Sequence, residues 1–175
     1  LLKIFKKNKD IIFVTPTMST KKNLKKKNKI SFVKNIKAAC MLCDVKKLKK
    51  IKFFDEDYFL YWEDVDLIKR VNDTEYKMVL ANNIFANHDS SQSSQDSIKT
   101  LYLRTSNYIY GELIFDLKHK KFKTLKILRK IIKNFILFFF NFLQFKLNDS
   151  YKNLFVLYGI LKFLIYYLRT IIKFT

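Results

Sequence analysis

Phe53-Phe54-Asp55-Glu56-Asp57-Tyr58-Phe59-Leu60-Tyr61-Trp62-Glu63-Asp64-Val65-Asp66-Leu67 is where acids and aromatics crowd together in this chain. A solvated acidic run would not carry so many large rings, and a plain core would not carry so many carboxylates. The second half of the stretch reads as the start of a helix at Glu63. Glu63, Asp64 and Asp66 crowd its first turns and Lys69 and Arg70 follow near its end, the order that complements a helix dipole. On that helix Asp64, Leu67, Ile68 and Val71 share one face, at i, i+3, i+4 and i+7. Asp66, Lys69, Arg70 and Asp73 share another, charged throughout, so Asp66 is expected to be a structural acid, solvated and paired with Lys69 and Arg70. Asp64 instead heads the apolar stripe, where a carboxylate is costly unless it has work to do. The pattern leaves two readings level, a general base at the mouth of a cleft or an N-terminal helix cap.

Outward from this stretch the charge changes sign twice. The chain has 175 residues and a formal charge of +20, nearly all from lysine. Residues 1–52 carry +15, residues 53–98 carry −7 and residues 99–175 carry +12. Lys, Asn, Ile and Phe are all over-used, as an AT-rich coding sequence would produce, so the acidic island says more than the total. Two glycines and one proline argue against a disordered or collagen-like chain. The first residue is Leu rather than Met, which hints at a start partway through a longer product, and no secretory signal opens the sequence.

Residues 1–9 read as the end of a helix, Asp10 to Val14 as a strand closed by Thr15-Pro16, and residues 19–29 as a lysine-rich loop. Residues 30–33 and 36–43 read as strands, Lys46 to Lys50 as a basic turn, and Tyr76 to Leu80 and Ile84 to His88 as two further strands. Residues 89–97, all Asp, Ser and Gln, read as a loop. Residues 98–117 read as a helix with Ile98, Leu101, Tyr102, Thr105 and Ile109 on one face. Cys40 and Cys43 lack the second ligand pair of a zinc site and sit in an apolar run, so they are expected to be buried structural thiols.

The block Phe54-Asp55-Glu56-Asp57-Tyr58-Phe59-Leu60-Tyr61-Trp62-Glu63-Asp64-Val65-Asp66-Leu67-x-x-Arg70 resembles the F-D-E-x-(F/Y)-F-x-Y-x-E-D-x-D-L-x-x-R block of glycosyltransferase family 2, and within it the rhamnosyltransferase-like members that build bacterial surface polysaccharides. Flanking segments follow in the family's order: Ile11 to Met18, Val33 to Asp44, Tyr76 to Leu80, and His88 with the Ser-rich run after it. The resemblance spans about residues 1–120. It implies an α/β fold, the C-terminal half of a GT-A (Rossmann-like) glycosyltransferase domain, followed by two long amphipathic helices in residues 121–175.

The resemblance also implies roles. Asp64 would be the catalytic base that deprotonates the acceptor hydroxyl, which displaces the nucleoside diphosphate in one inverting step. Trp62 and Glu63 would bind the acceptor, a saccharide or a lipid-linked saccharide. His88 would ligate a divalent metal, Mn2+ or Mg2+, that offsets charge on the leaving diphosphate; its other reading is a strand-end histidine facing solvent. Residues 89–97 would close over the substrates. The nucleotide-sugar donor would sit on a half upstream of Leu1, since no D-x-D precedes Asp55, and the chain alone would then be inactive. Ala38, Lys52 and Glu75 stand where the family uses glycine, a departure read as compositional drift, with a pseudoenzyme as the alternative.

Lys123 to Leu147 and Tyr151 to Phe174 read as two apolar, basic helices broken at Asn148-Asp149-Ser150. Neither apolar run reaches the ~18–20 residues needed to span a bilayer. Lysines with aromatics suit helices lying in an anionic membrane interface, at the cytoplasmic face of the bacterial inner membrane; a hairpin packed on the domain is the other reading. Two competing classes are an inactive membrane-surface module and a basic nucleic-acid-binding protein. The first leaves the acid and aromatic block unexplained. Against the second, arginine is scarce, no nucleic-acid motif is present and the acidic island would repel phosphate, so no nucleic-acid partner is expected.

Overall fold

In a computed structural model of the chain, the structure describes residues 1–18, 29–87 and 97–172. They form a mixed α/β arrangement in two compact units, Leu1–Asp55 with Asp64–Gln92, and Glu56–Glu63 with Ser93–Thr175. The break in composition at 120/121 lies inside the second unit.

In unit one, α1 (Leu2–Lys7) leads into β1 (Ile11–Met18), followed by β2 (Ile30–Val33), β3 (Leu42–Cys43), α2 (Val45–Lys50), α3 (Glu63–Asn72, entering this unit at Asp64) and β4 (Lys77–Ala86). The sheet order is β2-β4-β1-β3, with β1 parallel to β4 and both other pairings antiparallel. β1 is apolar without alternation at its start because both its faces are covered. Ile12 and Phe13 join Leu67, Ile68, Val71 and Met78 in one cluster, while Ile11 and Val14 join Val79 and Ala81 in another.

The strands differ from the sequence reading in ways that backbone pairing explains. β1 does not close at Thr15-Pro16 but runs to Met18, with Pro16 opposite Ala81. β3 reaches only Phe13 and Val14, so at Pro16 it asks for no N–H on that side. The two strands expected at 76–80 and 84–88 are one, β4, which follows β1 past a register shift between Pro16 and Thr17. The strand expected at 36–43 shrinks to Leu42–Cys43. The basic turn at 46–50 is the helix α2, capped by Asp44, whose carboxylate accepts from the Lys47 N–H at 3.1 Å. Neither thiol is buried as expected: Cys40 is exposed and Cys43 half-buried, with partial burial pushing the Cys43 thiol up from its ordinary pKa.

Unit two consists of α4 (Ile98–Lys118), α5 (Thr124–Leu143), α6 (Leu147–Ile172) and the irregular segment Glu56–Glu63. Its core joins Tyr58, Leu113, Ile114, Phe115, Ile127, Ile160 and Phe163. The buried part of α4 runs from Ser106 to Asp116, and Ile98, expected on its apolar face, is exposed. Gly159 lets α6 approach α4 closely, since a Cβ there would lie 2.5 Å from the Ser106 carbonyl oxygen. Ion pairs tie α5 to α4: Lys126 to Asp116 and Glu112 at 2.5 and 2.7 Å, and Lys130 to Glu112 at 2.9 Å.

The break between the last two helices falls at residues 144–146, not at Asn148-Asp149-Ser150, which open α6. Phe145 makes the turn in the left-handed region at φ 59°, and buried Ser150 donates to the Phe138 carbonyl at 3.1 Å. Against the expectation of two short apolar runs, α6 is, among the described residues, one helix long and apolar enough to cross a membrane by length and composition.

Candidate functional site

The residues singled out by the resemblance fall around the start of α3. In unit two, the chain approaches that helix through Tyr61 and Trp62, both in the left-handed region at φ 67° and 74°. Two consecutive aromatic residues there cost of order 1–3 kcal/mol each and persist only where packing holds them. Here the packing is visible. Trp62 lies 5.2 Å from the Phe115 ring and 5.6 Å from Tyr108, centroid to centroid, and Tyr61 meets Tyr108 edge-on at 5.9 Å. Gly111 makes room for the turn, because a Cβ on it would come within 3.0 Å of both Trp62 Cδ1 and the Tyr61 carbonyl oxygen. Upstream, Asp57 anchors the segment through Lys118 at 2.5 Å and the Tyr166 hydroxyl at 2.8 Å. Burial pulls the Asp57 carboxyl upward, but the bonds from Lys118 and Tyr166 and the Lys118 charge outweigh it and hold it below the usual range.

Trp62 and Glu63 each carry a buried polar atom that nothing satisfies among the described residues: the indole Nε1 and the carboxylate Oε2. Buried polar groups are hydrogen-bonded as a rule, so these two atoms stand out beside Asp64 in the sequence.

Unit two also holds a groove of about 410 Å3 lined by Tyr61, Arg104, Thr105, Tyr108, Ile109, Lys152 and Val156. The sequence reading missed Tyr108, Arg104 and Lys152 as site residues. Their signal was present as i, i+4 pairs, Arg104 with Tyr108 on α4 and Lys152 with Val156 on α6. It was hidden because the register that brings these helices together depends on Gly159.

In unit one, Asp64 and Asp66 part company, though not as the charge pattern suggested. Asp66 is not solvated but 1% exposed. Arg70 covers it, its Nε donating to Asp66 Oδ2 at 2.7 Å while its other nitrogens donate to the carbonyls of Ile51 and, at 2.7 Å, Phe53. Lys69 turns away to Asp73 at 2.5 Å. The reason is reach: a planar guanidinium can satisfy a carboxylate and two carbonyls together, which an ammonium on this face cannot do in the same geometry. The two carbonyls belong to a turn in which Lys52 and Phe53 both have positive φ, 64° and 49°. Of the three positions where the family uses glycine, Lys52 alone has a positive φ; Ala38 and Glu75 do not.

Asp64 is half-buried in the first turn of α3. Its Oδ1 accepts from the Val65 N–H at 2.8 Å, and no cation pairs with it among the described residues. It sits on the side of α3 that carries Leu67, Ile68 and Val71, as the phase predicted.

His88 and residues 89–96 lie outside the described residues; Ser97 caps α4, accepting from the Thr100 N–H at 3.1 Å. Among the described residues no three His, Cys, Asp or Glu side chains are grouped to hold a metal ion, and Asp57 and Asp66 are committed to cations. Compared with known proteins, the chain matches no family model, no curated protein and no solved structure.

Proposed function

We propose that this chain is the acceptor-side part of an inverting glycosyltransferase of the family 2, GT-A type, with Asp64 as its general base. The observation that carries the reading is the contrast among the acids of one block. Asp57 and Asp66 are held by Lys118 and Arg70, whereas Asp64 is half-buried with only a backbone N–H on one oxygen. In the proposed step Asp64 takes the proton of an acceptor hydroxyl as that oxygen attacks the anomeric carbon. The bond to the nucleoside diphosphate breaks on the opposite side, and the configuration inverts. In this reading Trp62 and Glu63, the two residues before Asp64 in the chain, meet the acceptor, the indole offering a face to a sugar ring. The donor nucleotide belongs, in this reading, to a half that carries the D-x-D motif.

Trp62 is the only tryptophan in the chain, so its emission reports acceptor binding directly. A saccharide or lipid-linked saccharide acceptor should shift that emission saturably, and Glu63→Gln should weaken the response. With a donor-binding half joined to the chain, Asp64→Asn should cut transfer by ~10²–10⁴, the scale of a lost general base, with donor affinity nearly unchanged. Emission that no saccharide moves, together with an Asp64→Asn protein as active as its parent, would sink the assignment.

A further inference from the structure

We infer that α5 is a membrane-docking helix, lying in the plane of an anionic lipid surface with its apolar side in the acyl boundary and its basic edge among the headgroups. At about 100° per residue, Leu125, Leu128, Ile132, Phe135, Ile136 and Phe139 fall within one arc of about 100°. Each is about half exposed or more, and the same side continues to Leu143, 75% exposed. Only Ile127 of the whole helix is fully buried. An apolar strip of this length needs an occupant, and the charges beside it say which.

Along the first half of the helix, Lys123, Leu125, Lys126, Arg129, Lys130 and Lys133 line a recess of about 480 Å3. Lys126 and Lys130 are already held by Asp116 and Glu112. No acid pairs with Lys123, Arg129 or Lys133 among the described residues. Three uncompensated cations around a recess beside an apolar strip complement a phosphate-bearing headgroup above acyl chains. A second copy of the chain fits less well, because two bodies of formal charge +20 would have to meet across cation-edged faces.

The helix lies flat rather than dipping in by its turn. The strip runs nearly the whole of α5, and Lys146 and Lys152 just beyond the turn would otherwise enter hydrocarbon. Although α6 has the length and composition of a span, it is fixed to α4 within the bundle by the close approach at Gly159 and by Lys162, which donates to Asn107 Oδ1 at 2.8 Å.

The inference stands independently of the glycosyltransferase reading. It is tested by flotation of the full chain with vesicles of pure phosphatidylcholine and with vesicles containing phosphatidylglycerol. The chain should float with the anionic vesicles at least about tenfold better than with neutral ones, and less so as salt rises. The double variant Phe135→Ser/Phe139→Ser should lose at least about tenfold in binding with an unchanged far-ultraviolet helical signal, since both rings are exposed. Arg129→Gln/Lys133→Gln should remove most of the salt dependence. Equal binding to neutral vesicles would overturn the headgroup assignment, and full binding by the Phe double variant would overturn the apolar one. A chain that ignores both vesicles but forms a dimer dissolved by Phe135→Ser/Phe139→Ser would make the strip a self-interface instead.

Discussion

Ile11, Ile12, Phe13 and Val14 in β1 are fully buried, whereas Phe135, Phe139, Phe140 and Phe142 in α5 are each about half exposed. Both segments are among the most apolar in the chain, and both are ordered into regular structure. The difference lies in what their neighbours supply. β1 has a strand on each side and an apolar cluster on each face; α5 has partners on one side only. Hydrophobicity in a sequence therefore states a demand for burial, and the fold decides how much of it is met from within.

The largest effect should come from the buried region. Phe13→Ala should destabilise unit one by ~3–5 kcal/mol in urea unfolding, the cost of emptying a packed aromatic site. Phe139→Ala should change stability by no more than about 0.5 kcal/mol, as for surface substitutions generally. A comparable cost for both would mean that the α5 strip is covered in solution, and the contrast would fail.

Of the same order is Arg70→Ala, which removes the guanidinium paired with buried Asp66 and should cost ~3–5 kcal/mol. Lys69→Ala breaks an exposed pair with Asp73 on the same helix and should cost only ~0.3–0.5 kcal/mol. Equal costs would show that burial of Asp66 contributes nothing of its own.

The smallest effect sharpens the picture in unit two. Burial pulls the Glu112 carboxyl upward, but the bonds and charges of Lys126 and Lys130 outweigh it and hold it below its ordinary value. A group depressed in the folded state stabilises above its unfolded pKa, ~4.3, and loses that contribution as pH falls through the lower folded value. The helical signal of unit two should therefore melt at lower temperature below about pH 4. Glu112→Gln should flatten that dependence; an unchanged acid limb would place the sensitivity elsewhere.

How much of this could be read in advance follows from which periodicities are local. The start of α3 at Glu63 and the phase that puts Asp64 beside Leu67, Ile68 and Val71 came from spacing within a few turns, and the helix obeys it. The fate of Asp66 did not, because its burial depends on Arg70 reaching the carbonyls of Ile51 and Phe53, a contact 17 to 19 residues away. Pro16 suggested a strand end by local logic, yet β3 is too short to require its missing N–H. The pairs Arg104 with Tyr108 and Lys152 with Val156 were legible singly, but not as one groove, because two helices from different parts of the chain build it. The strained Tyr61-Trp62 turn was equally hidden, since only the space left by Gly111 makes it affordable.

Unit two takes Glu56–Glu63 out of the middle of unit one, and the chain returns to unit one at Asp64 before leaving it again after residue 92. Neither unit is thus a contiguous stretch of gene. A cut at 92/93 would strand Tyr58 and Trp62 away from the helices that hold their rings, and a cut at 55/56 would remove α3 and β4 from the sheet unit. Neither unit can therefore be excised from the chain as one uninterrupted fragment.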